Sequence, residues 1–263
     1  MAPTPIPTID DLGVPGALHL AALLATREYR TRVAPTRRMA LALMGQLREL
    51  GLIDVPWPEP RWEVAADAQQ TPFEGLQWRL TWDAYLPDGL LVALKEYLQW
   101  LPRDDFAIAL RLKIWRELAV AEGELFFETQ LIKHQFDGEW AHDLVFVHRE
   151  CGVELSAAQW RYCCWAATRH GAALAQQQRV SDPVAVREAI YTELRRRIGP
   201  VASGQWTNTS FVPYNTFPES ALSQIFVRSL TSLGDTFWSL VPSELALMAT
   251  PASTPRTASA TGP

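Results

Sequence analysis

The fold of the N-terminal third is indicated most clearly by the stretch Pro35-Thr-Arg-Arg-Met-Ala-Leu-Ala-Leu-Met-Gly-Gln-Leu-Arg-Glu-Leu-Gly-Leu-Ile53. Pro35 and Thr36 suit a helix start, because proline is tolerated in the first turn and threonine can cap free amide groups. One side of this helix carries a regular apolar stripe, formed by Met39, Leu43, Leu47 and Leu50. Gly51 suits the helix end, since glycine readily adopts the left-handed conformation. The stretch therefore predicts a short amphipathic helix with an arginine-rich start.

Two candidate strands follow this helix, at residues 61–66 and 76–82, and both are rich in aromatic and β-branched residues. The polar segment 67–75 between them predicts the tip of a hairpin. A further helix is predicted before the stretch, at residues 16–27, where apolar residues recur with a helical period. The predicted order is therefore two helices followed by a two-stranded ribbon.

Residues 16–82 resemble the winged helix-turn-helix family. The resemblance is carried by residues 43–53 (LMGQLRELGLI) and by the two candidate strands that follow them. It covers less than a third of the chain, and the candidate wing tip departs from a basic wing because it carries Asp67 and Glu74. The resemblance implies a DNA reader whose second helix enters the major groove.

Five arginines are the nucleic-acid-binding residues that this interpretation selects. The start of the second helix would place Arg37 and Arg38 near base edges. Phosphate contacts would come from Arg30 and Arg32 in the preceding turn and from Arg61, or else Arg79, on the ribbon. The local excess of arginine stands out because the whole chain has a net charge of −5. A solvated arginine face, or a winged helix used only for protein contact, remains an alternative interpretation of the same residues.

The rest of the chain is predicted to be helical, so the fold class is mainly α with one β-hairpin. Helical segments are expected at 90–101, 106–133, 156–178, 182–198 and 219–240, whereas 143–148 suggests a short strand or a buried turn. The domain prediction is a flexible arm over 1–15, a winged-helix-like module over 16–82, a helical domain over 87–241 and a disordered tail over 242–263.

Histidine and cysteine side chains cluster between residues 134 and 170. The cluster consists of His134, His142, His148, Cys151, Cys163, Cys164 and His170. It lacks a CxxC pair, and ligands spaced seven residues apart on a helix are too distant for one zinc ion. We therefore predict no metal site and expect the cysteines to be reduced packing residues in a cytoplasmic protein.

The sequence offers no recognisable catalytic or cofactor motif. Nucleotide-binding glycine loops and the common hydrolase and metalloprotease patterns do not occur in it. Glu117, Glu124 and Glu128 on the long helix are expected to form a solvated or salt-bridged face. The sequence therefore predicts a non-enzymatic protein with no catalytic residues and no cofactor.

The function that follows is a DNA-binding regulator or an accessory subunit of a DNA-processing assembly. Double-stranded DNA is the expected ligand, and a protein partner or a second copy of the chain is expected on the helical domain. Membrane association is not expected, since no apolar run reaches the length of a membrane span. Two alternatives remain open: an adaptor that binds only proteins, and an enzyme with a site around His134, His148 and Glu128. Arg195, Arg196 and Arg197 suit a helix C-terminus and offer a second possible phosphate contact.

Overall fold

The computed structural model describes residues 8–29, 31–56, 77–82, 87–177, 182–206, 211 and 219–249. Helices dominate these residues, and a small antiparallel ribbon is formed near the N-terminal third. The predicted fold class is therefore confirmed in its coarse form, mainly α with a β-hairpin.

The helices and strands follow one another along the chain. They are α1 Gly13–Tyr29, α2 Arg37–Glu49, β1 Ile53–Asp54, β2 Arg79–Leu80, α3 Pro87–Trp100, α4 Asp105–Lys133, α5 Leu144–Cys151, α6 Ala157–Gln177, α7 Pro183–Ala202, α8 Ala221–Ile225, α9 Thr236–Ser239 and α10 Glu244–Ala249. Short 3-10 helices precede α1 and α5, at Asp10–Leu12 and Gly138–Asp143, and a π-helical turn continues α8 over Phe226–Leu230.

Side-chain caps begin four of the helices, and Thr36 is the cap that the sequence predicts for α2. Thr36 accepts a hydrogen bond from the Met39 amide, and Asp104 accepts one from the Ala107 amide. Ser156 and Asp182 cap α6 and α7 in the same way, by accepting from amide groups in the first turn. These caps satisfy backbone donors that would otherwise lack partners inside the helix.

The middle of α4 is the centre of the molecule, because residues 118–127 are buried on every side. It packs mainly against α6, which in turn packs against α7. Gly123 permits the close approach of α4 and α6, since a Cβ atom there would lie 2.7 Å from Cβ of Trp160. On the N-terminal side, α1 packs against α3 and α8, so one continuous apolar core joins α1 to the later helices. The division at 16–82 and 87–241 stays a prediction.

The ribbon lies directly after α2. Ile53 pairs with Leu80 and Asp54 pairs with Arg79 in an antiparallel register. The predicted second strand at 76–82 is thus observed as a shorter strand within that range. The predicted first strand at 61–66 lies outside the described residues, and the observed partner strand at 53–54 was not predicted because two residues show no alternation.

Two predictions in the C-terminal half were wrong. Residues 144–151 form a helix rather than a strand or a buried turn, and Gly152 ends it in the left-handed conformation with φ of 61°. The single helix predicted at 219–240 is broken into α8, the π-helical turn and α9. Ser232 and Gly234 adopt positive φ angles of 59° and 56°, which no continuous helix tolerates.

Helical structure extends beyond the boundaries predicted for both ends of the chain. It begins at Asp10, within the predicted arm, and continues to Ala249, within the predicted tail. Leu247 anchors α10 because its side chain is buried in the common core. Among the residues that the structure describes, no helix has the length and apolar character needed to cross a membrane.

Candidate functional site

The start of α2 presents its two arginines at the surface, as the sequence predicts. Arg37 is exposed, and the side chain of Arg38 is 55% exposed. The first turn of α2 contains no acidic residue, and Thr36 holds the turn by its side-chain cap. Arg48 lies exposed in the last turn. Positive side chains therefore occur at both ends of the exposed face of α2.

Arg38 is also one end of a chain of charged contacts, which we call the carboxylate–histidine bridge. Its Nη2 lies 3.4 Å from Oε2 of the buried Glu124 on α4. The other oxygen of Glu124 lies 3.0 Å from Nδ1 of His142, whose Nε2 lies 3.0 Å from the carboxylate of Glu139. The bridge joins α2, α4 and the 3-10 helix that precedes α5.

The pKa directions in the bridge follow from burial and pairing. Burial raises the pKa of Glu124 despite the opposing effects of His142 and Arg38. Burial acts to lower the pKa of His142, but the hydrogen bond and negative charge of Glu124, helped by Glu139, leave it raised. Arg38 and His142 thus both contact the one buried carboxylate of Glu124.

Arg32 points towards the interior more than the sequence prediction implies. Its Nη1 donates to the Pro35 carbonyl oxygen over 3.4 Å. Burial lowers the pKa of its guanidinium, while the negative charges of Glu122 and Glu128 on α4 oppose that shift. Arg32 is therefore half-buried and experiences the charge of acidic residues of the same chain. The two other predicted phosphate contacts, Arg30 and Arg61, lie outside the described residues.

A buried ion pair lies in the middle of the helical core. Nη2 of Arg161 is 3.1 Å from Oε2 of Glu122, and their side chains are only 4% and 1% exposed. Ser223 of α8 donates to the second oxygen of Glu122 over 2.8 Å. The guanidinium of Arg161 also stacks over Trp238 at 4.2 Å from the ring centre. We call Glu122 and Arg161 the core ion pair, and their burial assigns them a structural role.

The cysteines of the His/Cys cluster do not have the environment of a nucleophile. Burial raises the pKa of Cys163 to about 12 and also raises that of Cys164, so both thiols stay protonated at neutral pH. Cys151 is half-buried, with a pKa that burial raises. Within the described ranges, no group of three or more His, Cys, Asp or Glu side chains could hold a metal ion.

A second exposed feature, which the sequence analysis did not single out, lies between α3 and α4. Trp100 is 58% exposed and Phe106 is 80% exposed on the two sides of this connection. The buried guanidinium of Arg111 fixes the connection by donating to the carbonyl oxygens of Leu101, Pro102 and Leu230 at 3.3, 2.9 and 3.1 Å. We call Trp100, Phe106 and the connection between them the α3–α4 corner.

Comparison with known proteins adds no family to these observations. The chain matches no family model, no curated protein and no solved structure. The resemblance to winged helices consequently stays a prediction that rests on the residues of 16–82.

Proposed function

We propose that this chain is a non-enzymatic nucleic-acid-binding protein, a regulator or an accessory subunit of a DNA-processing assembly, that contacts duplex DNA through α2. The observation that carries the proposal is the exposure of Arg37, Arg38 and Arg48 on a helix whose sole acidic residue is Glu49. Phosphate groups need fixed positive charge, and arginine supplies two parallel donors to each phosphate.

The location of these arginines supports a contact with a phosphate backbone. The first turn of a helix has free amide groups and a positive dipole end, which favour an anion near Arg37. The side chain of Arg38 is 55% exposed, so its outer N–H groups can donate to a phosphate while Nη2 stays beside Glu124. Arg32 is half-buried and the negative charges of Glu122 and Glu128 act on it, so we propose no phosphate contact for Arg32.

The test is duplex binding by the full chain, followed by fluorescence anisotropy at about 50 and 200 mM salt. The variant Arg37→Glu/Arg48→Glu removes two exposed arginines and leaves the contact between Arg38 and Glu124 in place. The control Arg149→Glu/Arg228→Glu makes the same change in net charge at exposed positions on α5 and the π-helical turn.

We expect the duplex affinity of the wild type to fall steeply with salt. For the variant, the slope of log affinity against log salt should be smaller by the amount that about two phosphate contacts contribute. The control should keep the affinity of the wild type within about threefold. Absence of duplex binding at the lower salt, or an equal loss in the control, would contradict the proposal. Thermal unfolding of each variant verifies that the loss does not come from misfolding.

A second candidate function is that of a protein-binding adaptor, and the α3–α4 corner favours it. Aromatic side chains dominate protein interfaces, and a surface held in place before binding loses less entropy on association. Trp100 and Phe106 are exposed while Arg111 fixes the backbone between them. Asp104 and Asp105 lie beside them, so the complementary partner would offer an apolar pocket with a basic rim.

The adaptor function is tested with Trp100→Ala/Phe106→Ala against the control Val92→Ala/Ile132→Ala, which removes two other exposed apolar side chains. A partner captured by the wild type and the control should be identified, purified and titrated. We expect the corner variant to bind it at least tenfold more weakly. Equal binding by the corner variant would exclude the corner as a docking site.

A further inference from the structure

A surface on the outer sides of α6 and α7 is not used by either function proposed above. The two helices run antiparallel, because Gly171 packs on Ile190 while Tyr162 meets Arg197 at the other end. Aromatic and arginine side chains alternate across this surface. Its members, which we call the arginine–aromatic face, are Tyr162, Trp165, Arg169, Arg196, Arg197 and Trp206.

The aromatic rings of the face remain partly exposed. The rings of Tyr162 and Trp165 lie 6.2 Å apart, and Trp165 is in turn supported by Phe211 at 5.4 Å. Phe211 is itself attached to α6, since its amide donates to the Ala158 carbonyl oxygen over 3.0 Å. Trp206 stands beyond the end of α7. The face therefore offers half-buried rings that are packed against neighbouring side chains.

Guanidinium groups lie against these rings. Arg169 is exposed and lies 5.0 Å from the ring centre of Trp165. The guanidinium groups of Arg196 and Arg197 lie 5.5 and 5.4 Å from the ring of Trp206. Such cation–π contacts hold each guanidinium near an aromatic surface. Arg196 directs Nε and Nη2 at Glu193, but its side chain is 57% exposed, so the remaining Nη1 can reach a ligand.

The carboxylate among these arginines does not cancel their charge. Glu193 is bound by Arg196 and Arg197 at 2.7 and 2.6 Å, and its side chain is buried beneath them. The arginines lower its pKa to about 2, so the ion pair persists at neutral pH. With Arg169 included, three arginines oppose one glutamate. A local positive charge thus remains on a chain whose total charge is −5.

We propose that the arginine–aromatic face binds single-stranded nucleic acid, with bases stacked on Trp165 and Trp206 and phosphates held by Arg169 and Arg196. Exposed rings beside arginines are the arrangement that such ligands need, because unpaired bases present free π faces and every nucleotide carries a phosphate. A duplex hides its base faces, so this site selects unpaired strands. The face lies apart from α2, and the inference goes beyond the duplex contact proposed there.

The test is titration of the full chain with labelled strands of about 15 nucleotides, a length that spans one such site. Oligothymidine, oligouridine and an abasic strand of equal length are compared by fluorescence anisotropy. The abasic strand keeps every phosphate and removes every base, so it separates stacking from charge. Similar affinity for the DNA and RNA strands is expected, since stacking on aromatic rings does not depend on the sugar.

Two independent variants probe the face. Arg169→Gln/Arg196→Gln removes the outer charges and leaves Arg197 to pair with Glu193, and Trp206→Leu removes one stacking surface. The control Arg149→Gln/Arg228→Gln makes the same charge change elsewhere on the surface. Both face variants should bind oligothymidine about tenfold more weakly, and the wild type should bind the abasic strand at least about tenfold more weakly than oligothymidine.

Equal affinity for the abasic strand and oligothymidine would overturn the proposal, as would equal weakening in the control or no strand binding at about 50 mM salt. Failure of the duplex proposal gives a different result. In that case the wild type binds the strand and the face variants bind it more weakly. The duplex is then either not bound by the wild type or bound equally well by Arg37→Glu/Arg48→Glu.

Discussion

At the scale of single residues, the core ion pair shows how a buried charge ties together distant parts of the chain. Glu122, Arg161 and Ser223 come from α4, α6 and α8, and each polar group in the pair depends on the others for compensation. Removing one partner leaves an uncompensated charge in an apolar environment, which is far more costly than removing both.

We therefore predict that Arg161→Met lowers the free energy of unfolding by about 3–5 kcal/mol. The double variant Glu122→Leu/Arg161→Met should recover most of that loss, because neither charge then stays unpaired. Urea denaturation followed by circular dichroism measures both values. The double variant could instead lose as much free energy of unfolding as Glu122→Leu and Arg161→Met lose together. That result would contradict the coupling that the structure indicates.

The pKa of Glu193 leads to a prediction about how the stability of the fold depends on pH. Hydrogen bonds from Arg196, and also from Arg197, lower its folded-state pKa from 4.5 to about 2. A depressed carboxylate pKa stabilises the folded state fully above the unfolded value and loses that contribution as pH falls towards the folded value. The wild type should thus be more stable than Glu193→Gln at pH 6, and the difference should shrink between about pH 4.5 and about pH 2. Urea midpoints at several pH values measure it, and a constant difference would contradict the pairing.

At the scale of helices, close packing of α4 on α6 depends on a missing side chain. An added Cβ at Gly123 would meet Cβ of Trp160 at 2.7 Å, whereas one at Gly45 of α2 would meet no atom within 4 Å. We expect Gly123→Ala to destabilise the protein by about 1–3 kcal/mol through overpacking. Gly45→Ala should instead stabilise it by up to about 1 kcal/mol, because alanine favours helices. Thermal or urea unfolding compares the two, and equal signs would contradict this packing.

Local signals explain which helices the sequence could predict. Thr36, Asp104 and Ser156 each cap a helix through an amide three residues ahead, so their effect does not depend on the rest of the fold. The break between the π-helical turn and α9 has no such signal. Leu230 before the break, Leu233 within it and Phe237 after it keep the apolar pattern of one helix, and all three are buried.

The candidate surfaces were predictable only in part for a related reason. Exposure of Arg37 and Arg38 follows from the amphipathic pattern of α2 alone. The contact of Arg38 with Glu124 joins residues 86 positions apart, and the alternation of rings and guanidinium groups on α6 and α7 requires their antiparallel packing. Arg196 and Arg197 belong to a basic run in the sequence, but no sequence pattern places Trp206 beside them.

At the scale of the whole molecule, positive charge is separated from the acidic remainder of the chain. The net charge is −5, yet the exposed side of α2 and the arginine–aromatic face carry more arginine than acid. An acidic protein with basic surfaces binds polyanions in a defined orientation, because its other surfaces repel them. We therefore propose one surface for a duplex and another for an unpaired strand, a combination that suits a DNA-processing assembly.

The most direct measurement is a titration of the full chain with a labelled duplex of about 20 base pairs and with oligothymidine of about 15 nucleotides, at about 50 and 200 mM salt. We expect the protein to bind both ligands, with affinities that fall steeply as the salt concentration rises. Arg37→Glu/Arg48→Glu should weaken only the duplex, and Arg169→Gln/Arg196→Gln should weaken only the strand. Absence of binding to either ligand at the lower salt would contradict the claim that this protein binds nucleic acid.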